Sequence, residues 1–144
     1  MIRATAVALL IFTNCVYAQN GASSPAPCTR NEAIAAEFVI DFLTTWDNVY
    51  QFHRQYKHCI DAAIAEGVHD RIQRLWANQW STLPRMISLM DRDEVFRKFV
   101  WQALQTEAFP RDAFQRVLAQ AKQQCPHEAL EFCKAVIAQA RKVQ

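Results

Sequence analysis

The chain has only two glycines in 144 residues, Gly21 and Gly67, and that scarcity excludes several chemistries at once. Phosphate-cradling loops and dinucleotide fingerprints need clustered glycines, so that backbone N–H groups can approach the ligand closely. A serine nucleophile on a strand-to-helix elbow needs a glycine on either side. Ser23, Ser24, Ser81 and Ser88 are the only serines, and none is framed in that way. No stretch shows the strict apolar–polar alternation of a half-buried strand, and no pair of such stretches flanks a hairpin turn. Charge of one sign is also missing: 16 Lys and Arg stand against 14 Asp and Glu, mixed along the chain. A nucleic-acid surface would want a clustered basic stripe. No apolar run approaches the roughly 20 residues that a membrane-spanning helix needs, so stable membrane insertion is not expected.

What the sequence does contain begins with a leader. Arg3, the apolar run Ala4 to Phe12, and Val16 and Ala18 with one residue between them read as a secretory signal cleaved after Ala18. Phe12, Thr13 and Asn14 are the wrong neighbours for acylation of Cys15. Residues 1–18 are thus read as a signal peptide, 19–28 as a disordered polar tail (QNGASSPAPC) and 29–144 as a helical domain. The expected destination is the periplasm or the medium.

Cleavage removes Cys15 and leaves Cys28, Cys59, Cys125 and Cys133, an even number that reads as two disulfides in an oxidising compartment. With half of the residues apolar, the bridges supplement a real core.

Helical periodicity runs through the rest. Thr29 and Glu32 form a capping box. At 100° per residue, Ile34, Phe38, Val39, Phe42, Leu43, Trp46, Val49, Tyr50, Phe52, Tyr56 and Ile60 share one half-circle, with Ile40 outside it. The first helix is therefore expected to run unbroken from Arg30 to about Lys57 with that whole face inward. Thr44-Thr45 is the one place where a break could fall. Asp61 caps a second helix that carries Gly67, which marks a close helix–helix contact or a split. Ser81 or Thr82 caps a third, Asp91 and Glu94 open a fourth, and Pro110 and Pro126 open a fifth and a sixth. The fold class is all-α, a single-domain bundle of five to six helices with two disulfides.

A straight first helix would hold Cys28 and Cys59 about 40 Å apart, beyond the reach of a bridge. They can pair only if the chain folds back at Thr44-Thr45. A local Cys125–Cys133 bridge is tight, and the expected connectivity is long-range, from the last hairpin to Cys28 and Cys59.

Three of the four histidines, His53, His58 and His69, lie in the stretch Phe52 to Asp70. His53 and His58 are five apart and point away from each other, and His69 is on the next helix, so ligand spacing for a metal is lacking. His53 reads as a core histidine hydrogen-bonded to a neighbour, and His58 and His69 as solvated helix ends. Asp91 and Asp93 sit at a helix start, where acids favour the dipole. Neither catalysis nor a cofactor is expected. On the fourth helix Trp101 points away from the apolar stripe, near Arg97, Lys98 and Glu94; a large aromatic framed by charges is the composition of a contact site.

Size, leader, helices and cysteines together resemble the periplasmic immunity proteins that neutralise toxins delivered by neighbouring bacteria. No functional residue is carried over, because the resemblance is architectural. It implies a binding module that inhibits a toxin or enzyme, with a cognate toxin as protein partner and a homodimer left open. Insect odorant-binding proteins are a second resemblance and imply a carrier with an apolar cavity. Their middle cysteine pair is missing from the 65-residue interval between Cys59 and Cys125.

Overall fold

The computed structural model describes residues 27–106 and 108–142; the expected leader and most of the expected tail lie outside them. Among the described residues the chain forms seven α-helices and no strand. These are α1 (Arg30–Ile40), α2 (Trp46–Tyr56), α3 (Ala62–Asn78), α4 (Leu83–Arg92), α5 (Glu94–Gln105), α6 (Arg111–Gln123) and α7 (Leu130–Lys142). Short 3-10 turns precede α3, α4 and α7. The all-α bundle stands, with one helix more than the sequence suggested.

That helix comes from the break the threonines could hide. After Ile40 the chain turns: the N–H groups of Phe42 and Leu43 donate to the carbonyls of Val39 and Ile40. Thr45 then caps α2, its hydroxyl accepting from the N–H of Asn48. A side-chain oxygen that satisfies a first-turn N–H favours a new helix start over continuation. The expectation of one unbroken helix from Arg30 to Lys57 is thereby corrected.

Other boundaries follow their caps. Thr29 and Glu32 make the full capping box on α1, and Asp61 caps α3. Asp93, rather than Asp91, caps α5 and accepts from Val95 and Phe96. Pro110 precedes α6, and Pro84 sits in the first turn of α4.

α3 is the axis of the bundle and touches α1, α2, α5 and α6, while α6 packs on α7. Trp76 of α3 is fully buried, with ring centroids 6.3 Å from Trp46, 6.0 Å from Phe109 and 5.0 Å from Phe132. The indole N–H of Trp46 donates to Thr82 Oγ1 at 2.9 Å, and that of Trp80 to the Gln124 carbonyl at 2.8 Å. Buried Gln73 donates to the Ala103 carbonyl at 3.0 Å and links α3 to α5. These three buried polar heads each have a partner, as low-dielectric burial demands.

Gly67 marks a helix–helix contact. A Cβ there would lie 3.1 Å from Cδ1 of Ile40, so the missing side chain is what lets α1 approach α3. Ile40, left outside the apolar half-circle by the periodicity, is thus a packing residue.

The disulfides are Cys28–Cys59 and Cys125–Cys133. This corrects the long-range connectivity. The fold-back at Thr44-Thr45 returns the chain so that Cys28 and Cys59 have Cα atoms 4.8 Å apart. Pro126 and the turn His127–Ala129 bring Cys133 over Cys125, with Cα atoms 6.2 Å apart, inside the usual bridging range.

Candidate functional site

The break between α1 and α2 has a second effect. On one continuous helix, Ile34, Phe38 and Phe42 would share a face with Leu43, Trp46, Val49 and Phe52. The turn changes the register, and the two sets part. Leu43, Trp46, Val49 and Phe52 are buried. Ile34, Phe38 and Phe42 are 54%, 70% and 59% exposed. α1 instead buries Ala36 completely and leans Val39 and Ile40 against the core. The expectation that the whole stripe faces inward is corrected for these three residues.

Ile34 and Phe38 stand four apart on the outer face of α1, and Phe42 follows in the turn after it. The Phe38 and Phe42 rings touch at a centroid distance of 5.5 Å. Burying one such side chain is worth about 1.5–3 kcal/mol relative to exposure, so three in a row forgo a substantial gain. Single exposed hydrophobes, such as Val95 on α5 and Leu130 on α7, are ordinary. A contiguous row with two aromatics is not.

The row sits on a braced element. At its start the Cys28–Cys59 bridge ties α1 to the turn before α3, and His58 bonds Glu32 at 3.3 Å. At its end Asp41 pairs with Arg71 of α3. Glu37, one turn before Asp41, is exposed and makes no ion pair among the described residues. With Glu32 held by His58 and Asp41 by Arg71, Glu37 is the carboxylate left without an ion pair beside the row among the described residues.

The residues singled out on α5 are placed differently. Trp101 is half-buried, its ring 5.8 Å from Phe132 of α7. Arg97 pairs with Asp91 at 3.0 Å and with Glu94 at 3.1 Å, and Lys98 is exposed. Trp101 therefore contributes to packing between α5 and α7. The row on α1 was missed because a helix wheel cannot see a change of register.

The histidines separate as well. His53 is buried, stacked 4.9 Å from Phe99, and its Nδ1 has no hydrogen-bond partner. It is a core residue, but without the expected bond at that nitrogen. His69 lies within α3 and not at a solvated end; it packs 5.3 Å from Phe99 with Nε2 buried and unpartnered. His58 is held by Glu32. The expectation of a free, solvated end is corrected for both.

Burial pushes the pKa of His53 below the ordinary 6.5; the nearby Asp93 carboxylate opposes that shift and Lys57 adds to it. Burial alone lowers that of His69. The folded chain therefore resists protonation that the unfolded chain accepts as pH falls below about 6.5. Their contribution is fully present above that pH and is lost as pH falls through the depressed folded values. Thermal midpoints should decline as pH falls below about 6.5, before most carboxylates titrate. His53→Leu should make that decline shallower; an unchanged slope would remove His53 from the account.

No protein-family model, no curated protein and no solved structure matches the chain. Among the described residues no helix is long and apolar enough to cross a membrane.

Proposed function

We propose that this chain is an exported protein-binding module that inhibits a toxin or enzyme by docking on it through the α1 row Ile34–Phe38–Phe42. The observation that carries this reading is Phe38, the most exposed large hydrophobe described, set in a row on a helix braced at both ends. A rigid aromatic anchor loses little entropy on docking, and a few such anchors supply most of an interface's binding energy. The carboxylate of Glu37 beside the row suits a partner whose apolar groove is rimmed by Lys and Arg, as on a cationic enzyme. Disulfides suit an oxidising compartment, where an inhibitor would meet a delivered toxin.

The carrier reading has less support. The Phe and Met side chains that would line its cavity are packed: Phe52, Phe96, Phe99, Phe132, Met86 and Met90 are all buried. A hollow of about 190 Å³ beside α3 and α6 is lined by Asp70, Arg74, Asp112 and Arg116 among others, which suits no apolar ligand.

The test is binding to the product of the adjacent gene in the source genome, by calorimetry. Phe38→Glu should weaken it by at least about 30-fold, which is about 2 kcal/mol, while stability stays within about 1 kcal/mol. Failure to bind, or equal affinity of the variant, overturns the reading. Sedimentation adds an arm: a dimer that Phe38→Glu dissolves would make a second copy the occupant, and ligand-dependent melting with fatty acids would restore the carrier.

A further inference from the structure

We infer that the Cys28–Cys59 bridge covers a latent transition-metal site, which opens when the disulfide is reduced and takes Zn²⁺ through Cys28, Cys59, Glu32 and His58.

The sulfurs of Cys28 and Cys59 and a carboxylate oxygen of Glu32 all lie within 4.8 Å of one another. The fourth donor stands outside that trio and beside one member of it: His58 Nε2 is 3.3 Å from Glu32 Oε1, and it must swing towards the sulfurs as they part. Two ligands bound at about 2.0–2.1 Å in a tetrahedron sit about 3.3 Å apart, so this pair already has the spacing of one tetrahedral edge. Glu32 divides its labour. Oε2 accepts from the Thr29 N–H and hydroxyl at 2.9 and 2.7 Å, which leaves Oε1 for the metal without uncapping α1. His58 adjoins Cys59 on the turn Lys57–Cys59.

The chemistry balances. A dithiol reductant gives two electrons and two protons; its own sulfurs join as a disulfide, and Cys28 and Cys59 become thiols. Zn²⁺ then displaces both thiol protons to solvent. Neutral His58 binds through Nε2 with its proton on Nδ1. The sulfurs swing from bonding distance to about 3.8 Å apart, the edge set by Zn–S bonds of about 2.3 Å. Two thiolates, an imidazole and a carboxylate form a soft-to-borderline set that favours zinc over magnesium or calcium. The ion then does in the reduced chain what the bridge does in the oxidised one: it ties the start of α1 to the turn before α3. This inference is independent of what docks on α1.

The test uses the purified chain reduced with a phosphine under anaerobic conditions, with Co²⁺ as the spectroscopic probe. One Co²⁺ per chain should bind, with a thiolate-to-metal charge-transfer band and tetrahedral ligand-field bands, and the oxidised chain should show neither. Glu32→Gln keeps the capping chemistry and His58→Gln keeps polarity, and each should weaken binding at least about tenfold. Zn²⁺ should also shield Cys28 and Cys59 from alkylation while Cys125 and Cys133 are modified, a readout that needs no variant. Shielding of Cys125 and Cys133 instead, unchanged affinity in both variants, or an equal spectrum from the oxidised chain overturns the proposal.

Discussion

Trp76→Ala should cost the fold about 3–5 kcal/mol, the range for truncating a fully buried large aromatic. The indole has no measurable exposure and contacts rings from α2, from α7 and from the segment between α5 and α6. Its N–H lies 3.1 Å from Met86 Sδ on α4. Removing it opens a cavity bounded by Trp46, Met86, Phe109 and Phe132, which sit on separate elements and cannot all collapse into it together. The cavity therefore persists, and the loss of contacts adds to the loss of transfer energy. Urea unfolding followed by far-ultraviolet dichroism would show a midpoint shift at nearly constant slope. A loss below about 1 kcal/mol would mean that α3 is not the axis of the bundle.

The second large effect is an ordering between the bridges. Cys28–Cys59 spans 31 residues and Cys125–Cys133 spans 8. Constraint of the unfolded chain scales with the logarithm of loop length, giving about 3.5 kcal/mol for the first bridge and about 2.5 for the second. Paired alanine replacements isolate each contribution, because Cys59 and Cys133 are buried and a serine there would bury a hydroxyl. Removal of the first bridge should cost more by about 1 kcal/mol in guanidinium unfolding. The opposite order would show that residual structure in the unfolded 28–59 segment, or strain relieved on its release, outweighs loop closure.

The helical content was legible because caps and apolar periodicity agree along most of the chain. Thr29 with Glu32, Asp61 and the two prolines Pro110 and Pro126 mark helix entries that the structure keeps. The fold-back was legible only as a condition, since Cys28 could meet Cys59 only if the chain turned at Thr44-Thr45. Both happen together. Local propensity could not choose between a bent and a straight helix, because the apolar residues on each side of Thr44-Thr45 keep helical spacing on either reading. The choice falls to tertiary contacts: Ile40 against Gly67, Asp41 with Arg71, and Trp46 bonded to Thr82. For the same reason the outward turn of Phe38 could not be read from a wheel. Trp101 illustrates the converse. It is half-buried and packs on Phe132, 31 positions away, a contact that its neighbours in sequence could not show.

The covalent map of the folded part is two small closed loops joined by an open thread. No bridge encloses any residue from 60 to 124, the stretch that carries α3 to α6. A protease that nicks this thread would leave two pieces held by packing and hydrogen bonds alone, with no covalent link. Phe109, which follows α5 and is anchored on Trp76, would have to lift before a cut beside it between α5 and α6.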